Sequence, residues 1–306
     1  MGTNSSISFI MPNLLIGLCK GSRILTPYST TFHGQLGYDL FRLELSFTLS
    51  IDRNICPDAI VISSRLGNTL LFEWTEASDP TLKNDQLSRY AKVKTSDLVN
   101  FAAVPTTAAQ THDIVLTLRP IAVTNFLSLL VQNGRSFPIL ALDQQDHCIS
   151  LHKSANSFKA KPTDEFFSNG IQSRRLPRYL PFSLEACEPK EMVPSVIQNI
   201  VSLLIKGETS ISLPDFCRGF IPAWEFIGIE KQNELSQIAK GLINDLIQKR
   251  WGSQLAKRTG ASTPTWKLSP DLFIKNTKSL RKYLNEFIAE VQGDTYQYGL
   301  DLDPRS

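Results

Sequence analysis

Cysteine is scarce in this chain and never closely paired. Its five cysteines (Cys19, Cys56, Cys148, Cys187 and Cys217) are scattered, and no two stand in a C-x-x-C arrangement. That pattern argues against a disulfide framework and against a zinc site, and it fits a reducing cytoplasm. Long apolar runs are missing too, since no stretch approaches the ~18–20 residues that span a bilayer. The apolar run 7–18 is broken by Pro12 and has no basic leader, so no signal peptide is expected. Strong charge of one sign is also lacking. The 32 Lys and Arg against 29 Asp and Glu leave a net charge of +3, too little to announce a nucleic-acid binder. Of these residues, 21 of the basic and 17 of the acidic ones fall in 151–306, a modest C-terminal excess of +4. P-loop, dinucleotide and EF-hand patterns are absent, as are a G-x-S-x-G elbow and any internal repeat. His33, His112 and His152 stand apart, without ligand spacing.

What is present begins with alternation. Between positions 41 and 51 the odd residues are apolar and the even ones polar, the period of a half-buried strand. Residues 59–62 and 69–74 read as two further strands joined by a turn through Gly67-Asn68. A short helix is expected over 85–93, capped by Asn84. It is followed by a buried strand at 114–118, a helix at 121–131 and a strand at 138–142. The order predicts an α/β fold with a mixed sheet covered on both faces. Residues 154–181 are rich in Ser, Asn, Lys, Pro and Arg and read as a linker.

Beyond the linker, residues 182–275 follow the order of a mainly α winged helix-turn-helix. Helix 192–205 carries Val193, Val196, Ile197, Ile200 and Val201 at helical spacing. A strand at 209–213, helices at 214–220 and 232–251, and a hairpin of 254–257 with 265–268 follow. A last helix and tail occupy 276–306. On this reading Lys240, Lys249 and Arg250 on the third helix, with Lys257, Arg258 and Lys267 on or near the hairpin, would contact DNA phosphates. Six such contacts would make binding steeply salt-dependent. Winged helices also dock proteins, and Glu234 and Asp245 dilute the basic face. Trp224, Trp251 and Trp266 are read as core residues.

Two carboxylates carry the chemistry. Asp58 starts one strand and Glu73 ends the strand paired with it, so an antiparallel hairpin sets both at one sheet edge. Converging carboxylates of this kind can hold a hard cation that polarises a phosphate. Asp after Pro is also a common turn residue, and Glu at a strand end is often merely solvated. Pro57-Asp58, Glu73-x-Thr75 and Gln86-Leu87-x-x-Tyr90 together resemble the PD-(D/E)xK, or restriction-endonuclease-like, nucleases over roughly residues 35–145. The resemblance implies a Mg²⁺- or Mn²⁺-dependent DNA nuclease with Asp58 and Glu73 as metal ligands and Gln86 and Tyr90 lining the site. Glu44 is an extra acidic candidate.

The pattern departs at Thr75, where that family has its lysine and where a hydroxyl carries no charge. Lys83, Arg89 and Lys92 are the candidate replacements. Failing these, the chain would be a catalytically inactive, DNA- or partner-binding scaffold. A more distant alternative is a ligand-sensing regulator. Prokaryotic defence or mobile-element processing is the setting the resemblance implies, and homo-oligomerisation or a protein partner is left open. Asp143, Asp146, His147 and Cys148 form a polar cluster that reads as a hairpin loop.

Overall fold

A computed structural model of the protein describes residues 6–51, 53–145, 148–184, 189–206, 208–246, 255–257 and 263–268. The chain divides into two compact units, one made of Met1–Glu185 with Glu225–Gln232 and the other of Ala186–Trp224 with Asn233–Ser306.

The first unit opens with helix α1 (Ile7–Lys20), in which 12 of 14 residues are buried, Pro12 among them. An interior proline costs about 3 kcal/mol. Burying each of Ile10, Leu14, Leu15 and Leu18 returns roughly 1.5–3 kcal/mol, so the helix persists. Its one buried amide, Asn13, accepts from the Tyr179 and Leu180 N–H groups at 2.6 and 2.8 Å and donates to the Leu180 carbonyl. Among the described residues no helix is long and apolar enough to cross a membrane.

After a short α2 (Thr26–Ser29) and a π-helical turn come β1 (Tyr38–Leu43), β2 (Phe47–Leu49), β3 (Arg53–Ile55), β4 (Ala59–Ser63) and β5 (Asn68–Thr75). A 3₁₀ turn (Pro80–Lys83) leads into α3 (Asn84–Tyr90), α4 (Thr95–Asn100), β6 (Thr111–Leu118) and α5 (Pro120–Gln132). The unit's sheet is completed by β7 (Ile139–Gln145), β8 (Cys148–Ala155), α6 (Lys161–Asn169) and β9 (Ile171–Ser173).

Seven strands form one mixed sheet in the order β1-β4-β5-β6-β7-β8-β9. Only β5–β6 and β6–β7 are parallel pairs. All eight residues of β5 are buried, and because successive residues face opposite sides, both faces are covered at the sheet's centre. An α/β fold with a mixed sheet is therefore present.

Three sequence expectations need correction. The strand read across 41–51 is broken: Glu44 has φ +52°, and Phe47–Leu49 instead pairs with Arg53–Ile55 in a separate hairpin. Residues 154–181 are not a linker. They carry α6 and β9, and Phe158, Phe166 and Phe167 pack in a buried aromatic cluster with Phe32. Most of their polar residues face outward, though Thr163 is buried against the Tyr38 hydroxyl, so composition there reports mainly an exposed face of an ordered segment. Asn84 also proves to be the first residue of α3 and not its cap, because the 3₁₀ turn precedes it.

The second unit contains α7 (Pro189–Ile205), β10 (Ser210–Ser212), α8 (Leu213–Phe220), the greater part of α9 (Ile229–Leu246), β11 (Leu255–Lys257) and β12 (Thr265–Leu268). Met192, Val193, Val196, Ile197, Ile200 and Val201 form the buried stripe of α7. Ser212 caps α8 by accepting the Asp215 N–H. Leu235, Ala239 and Ile243, four residues apart, are the buried side of α9. The three strands pair antiparallel in the order β10-β12-β11, with Trp266 buried on the middle strand.

Candidate functional site

The register of β4 against β5 places the two carboxylates. Ala59 pairs with Phe72, so Asp58 and Glu73 are the next positions along the same antiparallel ladder. Asp58 Oδ2 accepts the Trp74 N–H at 2.7 Å, which anchors the aspartate to the strand that carries Glu73. Glu73 is buried on the face of Leu71, where α3 packs. Gln86 and Tyr90, four residues apart on α3, share one side of that helix.

The Tyr90 hydroxyl donates to Glu73 Oε2 at 2.9 Å. Lys83, the last residue of the 3₁₀ turn, places Nζ 2.9 Å from Glu73 Oε1 and 2.9 Å from Gln86 Oε1. Asp58, Glu73, Lys83, Gln86 and Tyr90 thus form one constellation. Thr75 does not take part: its Oγ1 accepts the Ala77 N–H at 3.1 Å and closes the turn after β5.

The other candidates lie elsewhere. Arg89 donates to the Asn54 carbonyl on the neighbouring hairpin. Lys92 is exposed beyond the end of α3, without a hydrogen bond to this group.

Electrostatics in the site follow from burial and like charge. Burial pushes the Asp58 carboxyl well above its ordinary value of 3.8, and the charges of Glu73 and Glu44 raise it further; the Trp74 N–H and Lys83 oppose the rise. Glu73 is raised mainly by burial, with Lys83, Tyr90 and Gln86 acting to lower it. Cys56, missed as a site residue in the sequence, stands beside the pair. Burial pushes its thiol up to about 11, and Glu44, Asp58 and Glu73 all add to that. Its Sγ is 3.9 Å from Glu44 Oε2. Glu44 was an acidic candidate in the sequence, but its approach to Cys56 depends on the break after β1, which no local pattern marks.

The donor set consists of hard carboxylate oxygens. Among the described residues no three or more His, Cys, Asp or Glu side chains converge as a ready metal cage.

Residues 9–180 match the family model described as the MJECL32 domain. The chain belongs to the MJECL32 domain family. The constellation lies wholly within the MJECL32 match, as does segment 154–181 but for its last residue, consistent with its place in the sheet. A second model, described as a domain of unknown function (DUF8601), matches residues 186–303 and so begins where the second compact unit begins. No curated protein matches the chain, and no solved structure matches it.

Outside the MJECL32 domain's constellation, β7 and β8 pair up to Gln145 and Cys148, a hairpin, with Asp143 accepting from the Gln144 N–H and the Gln145 amide. Asp146 and His147 lie outside the described residues. Of the six expected DNA contacts, Lys240 is half-buried on α9 and Lys267 exposed on β12. Lys257 has only its backbone described, in β11, while Lys249, Arg250 and Arg258 lie outside the described residues, as does Trp251.

Proposed function

We propose that the first unit is a metal-dependent DNA nuclease of the PD-(D/E)xK type in which Lys83 supplies the cation expected at Thr75. The observation that carries the reading is the Lys83 ammonium held 2.9 Å from Glu73, beside Asp58 at the adjoining register position. A lysine delivered from the turn after the strand reaches the same carboxylate that a lysine two residues along the strand would flank.

The residues suit the metal this reading needs. Mg²⁺ characteristically takes only one or two protein carboxylates and fills its shell with water and phosphate oxygens. Asp58 and Glu73 are two hard donors whose mutual repulsion a divalent cation relieves, so a three-ligand cage is not required. When bound, the metal supplies polarisation of the phosphate and an acidified water. The chain's own residues do the rest: Asp58 and Glu73 hold the metal, Lys83 stabilises charge developing on the phosphate, and Gln86 and Tyr90 orient Lys83 and Glu73.

For the second unit we infer a winged helix that positions the protein on DNA. The order helix, strand, helix, helix, hairpin and the β10-β12-β11 sheet support it, with α9 as the helix entering the major groove. A scaffold without catalysis is the competing reading. It is favoured by both Glu73 carboxylate oxygens being engaged, one by Lys83 and the other by Tyr90.

Incubation with plasmid and linear DNA in Mg²⁺ or Mn²⁺ separates the two. The nuclease reading expects cleavage that Glu73→Ala abolishes and that Lys83→Ala lowers by roughly 10²–10³-fold, the usual loss when one charge-stabilising donor is removed. DNA binding without cleavage by the unsubstituted protein would leave only the scaffold.

A further inference from the structure

Residues 225–232 belong to the first unit although they stand far along the chain from the rest of it. What they meet there is the backbone around Glu44. Leu43 forms an isolated parallel bridge with Ile227, and the Gly228 N–H donates to the Leu43 carbonyl at 2.7 Å. Ile227 is buried. A β carbon on Gly228 would stand 2.3 Å from the Glu44 carbonyl oxygen and 3.0 Å from its carbonyl carbon, both backbone atoms. Only glycine permits that approach.

Glu44 has φ +52°, the left-handed region that residues bearing a β carbon avoid. The local sequence does not ask for it, since 41–51 alternates as a continuous strand would. From the other side the Glu44 N–H donates to the Asp58 carbonyl at 3.1 Å, tying the strained residue to the chain that carries the aspartate. The Glu44 carboxylate then stands against Cys56, and its charge acts on Asp58.

We infer that Ile227 and Gly228 form a latch that holds Glu44 in the left-handed conformation and so fixes its carboxylate as a third negative group beside Asp58 and Glu73, strengthening divalent-cation binding. The identity of the ligand rests on the nuclease reading, whereas the latch stands on the backbone geometry. Ile227 and Gly228 are positioning residues, and their effect passes through Glu44.

Titration calorimetry with Mn²⁺ on the full chain tests the cation part. Glu44→Gln, Gly228→Ala and Ile227→Ala should each weaken Mn²⁺ binding about tenfold, the lower end for residues that orient a metal site. The double variant Gly228→Ala/Glu44→Gln should bind no more weakly than Glu44→Gln alone, because both changes remove the same group. Wild-type affinity in Gly228→Ala and Ile227→Ala, or effects that multiply in the double variant, would overturn the latch. Should Gly228→Ala not fold, Ile227→Ala carries the same comparison without a backbone clash.

A metal-free measurement keeps this outcome apart from failure of the nuclease reading. Glu44→Gly should melt higher than Glu44→Ala, since only glycine occupies the left-handed region without cost. Equal melting temperatures would overturn the latch whatever binds at Asp58. No Mn²⁺ binding by the unsubstituted protein, with the glycine variant melting higher, would instead leave the latch standing and overturn the cation site.

Discussion

Asp58 and Glu73 are held in conflict. Both are withdrawn from water, the Glu73 charge raises the affinity of Asp58 for a proton, and one ammonium serves Glu73 directly while Asp58 has a backbone N–H. A carboxyl whose folded pKa exceeds its unfolded value contributes stability that is fully present below the unfolded value, 3.8 for Asp58, and is lost as pH rises through the folded one. The protein should therefore lose stability from this pair on going from pH 4 toward neutrality. His112 acts in the opposite sense. Burial depresses its imidazole to about 4, so its contribution is lost as pH falls from 6.5 through that value. Comparing Asp58→Asn with the unsubstituted protein isolates the carboxyl. The amide keeps an oxygen for the Trp74 N–H and removes the charge, so at pH 7 it should gain roughly 1 kcal/mol, a rise of ~2–4 °C in melting temperature for a unit of this size. The gain should vanish near pH 4. A variant that melts lower at pH 7 would mean that Asp58 is comfortably ionised, and the case for cation relief there would be lost.

The elements of the site were legible in part, and the misses have physical causes. Two short apolar runs joined by the Gly67-Asn68 turn placed β4 and β5, and with them the Asp58–Glu73 register, because the hairpin is local. The Gln86–Tyr90 face of α3 was equally local. Alternation misled at 41–51, where a contact with residues 227–228, nearly two hundred positions away, imposes a left-handed residue that no neighbouring side chain encodes. Composition misled at 154–181, where an exposed polar face on ordered elements looked like a linker.

Lys83 was visible only as one of three basic candidates. Choosing it requires knowing that Pro80–Lys83 winds as a 3₁₀ turn and brings the ammonium back to β5. This geometry predicts that the lysine's element of origin is interchangeable. In a Lys83→Ala background, Thr75→Lys should recover DNA cleavage by at least tenfold, since position 75 lies on the Glu73 side of β5, two residues along. The same change alone should cost about 0.5–1.5 kcal/mol through loss of the hydrogen bond to the Ala77 N–H. Cleavage assays and thermal melts of the single and double variants read both. No recovery, with the double variant folded, would show that Lys83 serves Glu73 structurally.

At the scale of the whole molecule, the family match and the compact units disagree in one respect. The MJECL32 match ends at residue 180, which invites a cut in the segment that follows. The first unit nevertheless includes Glu225–Gln232, reached only after the chain has run through 186–224 of the second. A chain of residues 1–184 would lose the buried Ile227 side chain, worth roughly 1.5–3 kcal/mol, and the Gly228–Leu43 hydrogen bond, worth about 0.5–1.5 kcal/mol. It should therefore be less stable by about 2–4 kcal/mol toward urea, and, freed of the latch, it should bind Mn²⁺ about as weakly as Glu44→Gln does. Rejoining 225–232 to residue 184 through a flexible Gly/Ser linker should recover much of the stability, because the lost contacts lie in that segment and not in the second unit's helices. Linear-extrapolation unfolding of the three chains measures this directly. A truncated chain as stable as the rejoined one would place residues 225–232 outside the first unit's cooperative core, and the two family matches would then mark independent domains.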